Sequence, residues 1–177
     1  MELVSLCFLF CAFAGSPDCV GQEQHASSEQ MHFSAEDSGV KKPVPIPESV
    51  LAILRSDDTV RRALEDKMMS SKDLPSSWFL ASEIHLSTRN RPDLVVIGQA
   101  PISGANVTTF WVFLAEIGGF KLVMTAPAHD LIVKKARWKG VRDLELASMT
   151  AVQISTVLLR FNGKRYVERS ATSQAIE

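Results

Sequence analysis

The sequence predicts an α+β domain, two short N-terminal helices followed by a curved or barrel-like antiparallel meander of seven to eight strands. Three observations point there. Apolar residues recur at helical spacing between Pro47 and Met68. Beyond Trp78 the period changes to that of strands. The strand-like runs follow one another with turn chemistry between them and no intervening helix, which favours hairpins over a parallel sheet.

The first helix is expected where Val50, Leu51 and Leu54 follow Pro47. Ser56 or Asp57 can cap a second helix carrying Val60, Leu64 and Met68 on one stripe, with Asp57 and Asp58 at its start and Lys67 near its end, as the helix dipole favours. Lys72 to Ser77, with Pro75, breaks the helical pattern. The strands are then expected over 78–87, 94–99, 107–114, 120–125, 131–138, 143–148, 155–161 and 164–168. Turns at Arg91-Pro92-Asp93, Ser103-Gly104-Ala105-Asn106, Gly118-Gly119 and Asn162-Gly163 bound them. Asn162-Gly163 is the most specific of these, since a two-residue primed turn needs positive φ at both central positions. Such a turn would set Arg160 directly opposite Arg165.

Ahead of the domain lie two segments of different composition. Residues 3–14 hold no charge and a single hydroxyl, too short a run to cross about 30 Å of hydrocarbon. Small residues follow at Ala12, Ala14, Cys19 and Gly21, so residues 1–21 read as an export signal, although no Lys or Arg precedes the apolar run. Cys7 and Cys11 would leave with the signal, and Cys19 as well if the cut follows Gly21, so no disulfide or cysteine metal site is expected. Residues 22–47 are rich in Gln, Ser, Glu, His, Lys and Pro and read as a flexible tether, leaving 48–177 as the single folded domain. The expected location is the periplasm or the extracellular space.

The whole chain has 177 residues, 46% of them hydrophobic, and 19 Lys+Arg against 20 Asp+Glu. Removing residues 1–21 takes away Glu2 and Asp18 and no base, leaving the rest close to neutral. That balance lacks the electrostatic footprint of a nucleic-acid binder, and no nucleic-acid partner is expected. Gly140-Val141-Arg142-Asp143-Leu144 with Phe161-Asn162-Gly163-Lys164-Arg165-Tyr166 resembles small exported bacterial β-sheet proteins. The resemblance spans the second half of the chain and implies a sheet and an envelope setting, with no activity attached.

Candidate chemistry is sparse. A hydrolase would use Ser103 as nucleophile with His129 and Asp130, but Ser103 lies on no Gly-x-Ser-x-Gly elbow and adjacent His129 and Asp130 would point apart on a strand. Glu83, Asp93, Glu116, Asp143 and Glu145 offer glycosidase-like carboxylate pairs without selecting one. His25, His32, His85 and His129 show no short metal-ligand spacing, and phosphate loop, dinucleotide fingerprint and calcium loop are all missing from the sequence. No metal or cofactor is therefore expected, and the balance leans away from an enzyme. Asn106-Val107-Thr108 matches a glycosylation acceptor, which has meaning only in a eukaryotic secretory pathway.

The remaining feature is basic. Lys134, Lys135, Arg137, Lys139 and Arg142 follow one another without an acid, and strand alternation would put Lys135, Arg137 and Lys139 on one side with Val133. With Arg160 and Arg165 they form a candidate face for an anionic glycan, a lipid headgroup or an acidic envelope protein. Trp111, Phe113, Trp138 and Tyr166 could supply apolar anchors. The expectation is thus a non-enzymatic exported binding or scaffolding domain of the bacterial envelope.

Overall fold

Leu94-Val95-Val96-Ile97 and Phe110-Trp111-Val112-Phe113-Leu114 are unbroken apolar runs, and strands of that kind need cover on both faces. A computed structural model, which describes residues 29–36 and 39–176, supplies it with three layers. The middle layer is a four-stranded antiparallel sheet of β2 (Phe79–Ile84), β3 (Asp93–Gly98), β4 (Thr108–Glu116) and β5 (Gly119–Ala128) in that order. A five-stranded sheet packs on one of its faces. It orders β1 (His32–Ser34), β6 (Asp130–Trp138), β7 (Val141–Met149), β8 (Gln153–Phe161) and β9 (Tyr166–Ala175). Helices α1 (Glu48–Arg55) and α2 (Asp58–Asp66) cover the other face.

Alternation along β3 and β4 divides the core between the layers. Val95, Ile97, Phe110, Val112 and Leu114 meet Leu131, Leu144 and Leu159 of the five-stranded sheet. Leu94, Val96, Trp111 and Phe113 meet Val50, Leu54, Val60 and Leu64 of the helices. Asp57 joins helix to sheet. One carboxylate oxygen accepts from the Thr59 N–H at 2.9 Å, capping α2, and the other accepts from Trp111 Nε1 at 2.9 Å. Met68, expected on the same stripe, lies past the helix with φ of +54° and is exposed.

The antiparallel meander is present, but its closure is not. Among the described residues there are nine strands in two sheets, and the sheets do not close into a barrel. The chain changes sheet at a single residue, His129, between β5 and β6. Its N–H donates to the Ala147 carbonyl at 2.9 Å while its own carbonyl accepts from the Ala35 N–H at 2.8 Å. A turn that tight cannot be told by composition from an ordinary strand residue.

Two further expectations need correcting. Residues 29–36 and 39–47 pack against the domain rather than hanging free. Phe33 is fully buried against Leu131, β1 supplies an edge to β6, and Val44 bridges to Ala81 on β2. A few apolar side chains among polar ones, Phe33, Val40 and Val44, are enough because the receiving surface is already built. The expected export signal and the first part of the tether, with Cys7, Cys11, Cys19 and His25, lie outside the described residues. The last hairpin also differs. Strand pairing ends at Phe161↔Tyr166, and Arg160 faces Val167, not Arg165. Asn162 stays outside the central pair of the turn, its side-chain oxygen accepting from the N–H groups of Lys164 and Arg165, and Gly163 alone takes positive φ at +107°. The turn with positive φ at both central positions is Lys139-Gly140, at +49° and +80°.

Candidate functional site

Consecutive antiparallel hairpins send every second loop to the same end of a sheet. The β2–β3 and β4–β5 loops therefore share one end of the four-stranded sheet, and the β6–β7 and β8–β9 loops share one end of the five-stranded sheet. Contacts between the layers show that these are the same end of the molecule. Arg137 Nη1 and the Arg142 N–H both donate to the Leu86 carbonyl, at 2.7 and 2.9 Å, and a Cβ added at Gly140 would come within 3.3 Å of Thr88 Oγ1.

Four loops thus meet at one end, and their charges have one sign. They carry Arg89, Arg91, Lys139, Lys164 and Arg165, with no carboxylate. Among the described residues none of these five forms an ion pair. The loops at the other end, 99–107 and 150–152, contain no charged residue.

The basic loops are held from below. Asp93, fully buried at the start of β3, accepts from the Ser87 N–H and the Ala115 N–H, each at 2.8 Å, fixing the base of the loop that bears Arg89 and Arg91. Arg89 donates to the Ala115 carbonyl, and Arg91 donates to the Glu116 carbonyl at 3.0 Å, so both guanidinium groups keep further N–H donors for a ligand. With Ala115, Glu116 and Ile117 they line a cavity of about 470 Å3, and the exposed Glu116 carboxylate there pairs with Lys121 at 4.0 Å. Tyr166 braces the five-stranded side by donating to the Arg142 carbonyl at 2.7 Å; burial, then the carboxylates of Asp93 and Asp143, push its hydroxyl well above the ordinary tyrosine range.

The expected strand face is rearranged. Register shifts between Val133 and Arg137, and Lys139 sits in a turn, so Lys135, Arg137 and Lys139 do not form one continuous strand row with Val133. Arg137 is opposite Arg142 and is spent on the carbonyls of Leu86, Gly140 and His85. Arg160 forms a bidentate pair with the buried carboxylate of Asp143, 2.8 Å at its shortest, and lies 5.0 Å from the centre of the Trp138 ring. Its hydrogen bonds to Asp143 hold the guanidinium above its usual range. Lys134 is paired with Glu145 at 3.2 Å. Lys135 is exposed, and Lys139 and Arg165 belong to the basic end. Of the apolar anchors, Trp111 and Phe113 are fully buried, Tyr166 is buried and Trp138 is 47% exposed.

Ser103, His129 and Asp130 lie toward the other end, where the carboxylates of Asp130 and Glu36 flank His129. Among the described residues no hydrogen bond joins Ser103 to His129. His129 Nδ1 lies 3.0 Å from the Asn106 carbonyl, and its Nε2 lies 3.8 Å from Glu36 and 4.0 Å from Asp130. A second cleft, about 550 Å3, runs between residues 29–44 and the β2 edge. It mixes Glu29 and Glu83 with Lys41, Lys42 and His85 and so favours no ligand charge. Asp93 and Asp143, among the five carboxylates weighed for glycosidase chemistry, are buried and bonded as struts. Among the described residues no cluster of His, Cys, Asp and Glu is arranged to hold a metal ion.

The sequence reading missed Arg89, Arg91 and Lys164. The usable signal was loop parity: in a meander every second turn shares an end, and the charges of those turns can be summed from sequence alone. No known family matches the chain, and comparison with characterised proteins and with solved structures finds none similar to it.

Proposed function

We propose that the chain is an exported, non-enzymatic binding domain of the bacterial envelope that engages an anionic partner through its basic loop end. One observation carries this reading: five cations with no ion-pair partner among the described residues gather on three of the four loops at one end, while loops 99–107 and 150–152 at the opposite end bear no charge. A surface made soluble by scattered charge would mix signs, as the open face of the five-stranded sheet does with Lys134–Glu145 and Arg160–Asp143. A field of one sign instead concentrates counter-charged partners.

Charge reversal tests it. Lys164→Glu with Arg165→Glu should abolish retention on a heparin column at low salt, and wild type should elute earlier as salt rises because exposed charges are screened beyond about 8 Å at physiological ionic strength. Both positions are exposed in a turn, so the denaturation midpoint should move by less than about 0.5 kcal/mol equivalent. Equal retention of the two proteins defeats the reading.

A further inference from the structure

The basic end also carries apolar side chains where a turn would ordinarily be polar. Ile117 is the first of the two residues of the β4–β5 turn and is fully exposed, at 106% of its reference area, with Gly118 beside it at φ +88°. Trp138 closes β6 on the same end and is 47% exposed. Arg89 and Arg91 line one cavity with Ile117, Ala115 and Glu116, whose carboxylate pairs with Lys121.

From this juxtaposition we infer that the anionic partner is a lipid bilayer, with the loop cations on headgroup phosphates and Ile117 and Trp138 entering the interface. The inference rests on the anionic-partner reading above and narrows it to one source. Its ground is the combination of cations and apolar tips on separate loops. An acidic protein or glycan would have to offer a pocket for Ile117 beside each patch of negative charge. An anionic bilayer offers negative charge in its headgroups and apolar depth just beneath them everywhere on its surface, and it attracts juxtaposed Lys and Arg additively. Indole rings favour that headgroup level because one edge is polar and the ring is apolar. The opposite end supplies the contrast. Val152, Ile154 and Ile176 are exposed there, but its loops hold no cation to meet a headgroup.

The test uses the full chain and vesicles of phosphatidylglycerol with phosphatidylcholine, set beside vesicles of phosphatidylcholine alone. Any membrane affinity of the apolar residues 3–14 is common to all variants and does not depend on lipid charge, so comparisons between variants and between vesicles isolate the loop end. Wild type should co-sediment with the anionic vesicles more strongly than with the neutral ones. Ile117→Ser should lower that partition about tenfold, the order expected for withdrawing one aliphatic side chain. Val152→Ser, at the uncharged end, should leave it unchanged. Of the three tryptophans Trp78 and Trp111 are buried, so a blue shift of emission on binding should be lost in Trp138→Phe. Binding to heparin without preference for anionic vesicles overturns the bilayer and leaves a soluble acidic glycan or protein as the partner. Loss of both overturns the anionic-partner reading itself. Partition that ignores Ile117→Ser, responds to Val152→Ser, or proceeds without the Trp138 shift also overturns the inference.

Discussion

The two sheets share one core but have different neighbours on their other faces. The four-stranded sheet lies between the helices and the second sheet, so β3 is buried along its whole length and β4 along all but its last residue. The five-stranded sheet has only one covered face, and β9 is exposed from Glu168 onward. Packing therefore constrains every side chain of β3 and all but one of β4, the two central strands of the first sheet. In the second, half the positions answer to solvent and to whatever partner arrives. The difference teaches where stability and recognition reside: the doubly covered sheet is the frame, and the loops that its base holds in place are free to carry charge.

The sharpest way to break this comparison is at Trp111. It is fully buried, packs edge-on against Phe79 with ring centres 5.6 Å apart, and bonds to Asp57. Trp111→Ala should cost about 3 to 5 kcal/mol in denaturant unfolding, whereas Thr172→Ala on exposed β9 should cost less than about 0.5 kcal/mol. Similar costs at the two sites would mean that the sheets are not divided in this way.

A smaller loss sharpens the link between frame and loops. Asp93→Ala leaves the N–H groups of Ser87 and Ala115 without their acceptor in a buried place, an expected cost of about 2 to 4 kcal/mol. Because Asp93 fixes the base of the Arg89 and Arg91 loop, amide exchange should accelerate over residues 87–91 before it does in β3. Uniform acceleration would show that Asp93 supports the whole sheet and not the loop.

The smallest expected effect carries the opposite sign. Lys139 holds a left-handed conformation that a side chain disfavours by roughly 1 to 2 kcal/mol. Glycine relieves that strain but adds freedom to the unfolded chain, so Lys139→Gly should raise stability by about 0.5 kcal/mol net. The denaturation midpoint should rise with an unchanged slope. A fall would mean that the lysine side chain contributes contacts that outweigh the strain.

Much of the local structure was legible in the residues. Val50, Leu54, Val60 and Leu64 announced the helices, and of the two cap candidates Ser56 and Asp57 it is Asp57 that caps α2. The strands from β2 onward were legible because each run is bounded by turn residues, whereas β1 lay in the segment expected to be a tether and β9 extends to Ala175 through a polar Ser-Ala-Thr-Ser-Gln run with no apolar pattern to follow. Its hydrogen bonds to β8, with the Thr156–Thr172 and Ser155–Ser173 pairs, make it a strand without a core face. The site was less legible. Lys139 and Arg165 were singled out for charge, but Arg137 and Arg160 looked equivalent to them until their partners were seen.

By itself, the sequence determined the period of the two helices and of the apolar strands, most of the places where the chain turns and the sign of the charge in each hairpin loop, because these depend on neighbours a few residues away. Only the tertiary structure decided that one residue, His129, carries the chain from one sheet to the other, that Phe33 fills a core built by residues about 100 positions later, and that Arg160 is neutralised by Asp143 while Arg89 and Arg91 stay unpaired. Each of these turns on which groups meet across long separations in the chain. A guanidinium beside a buried carboxylate and one beside a backbone carbonyl are the same letter in the sequence, and only the fold tells them apart.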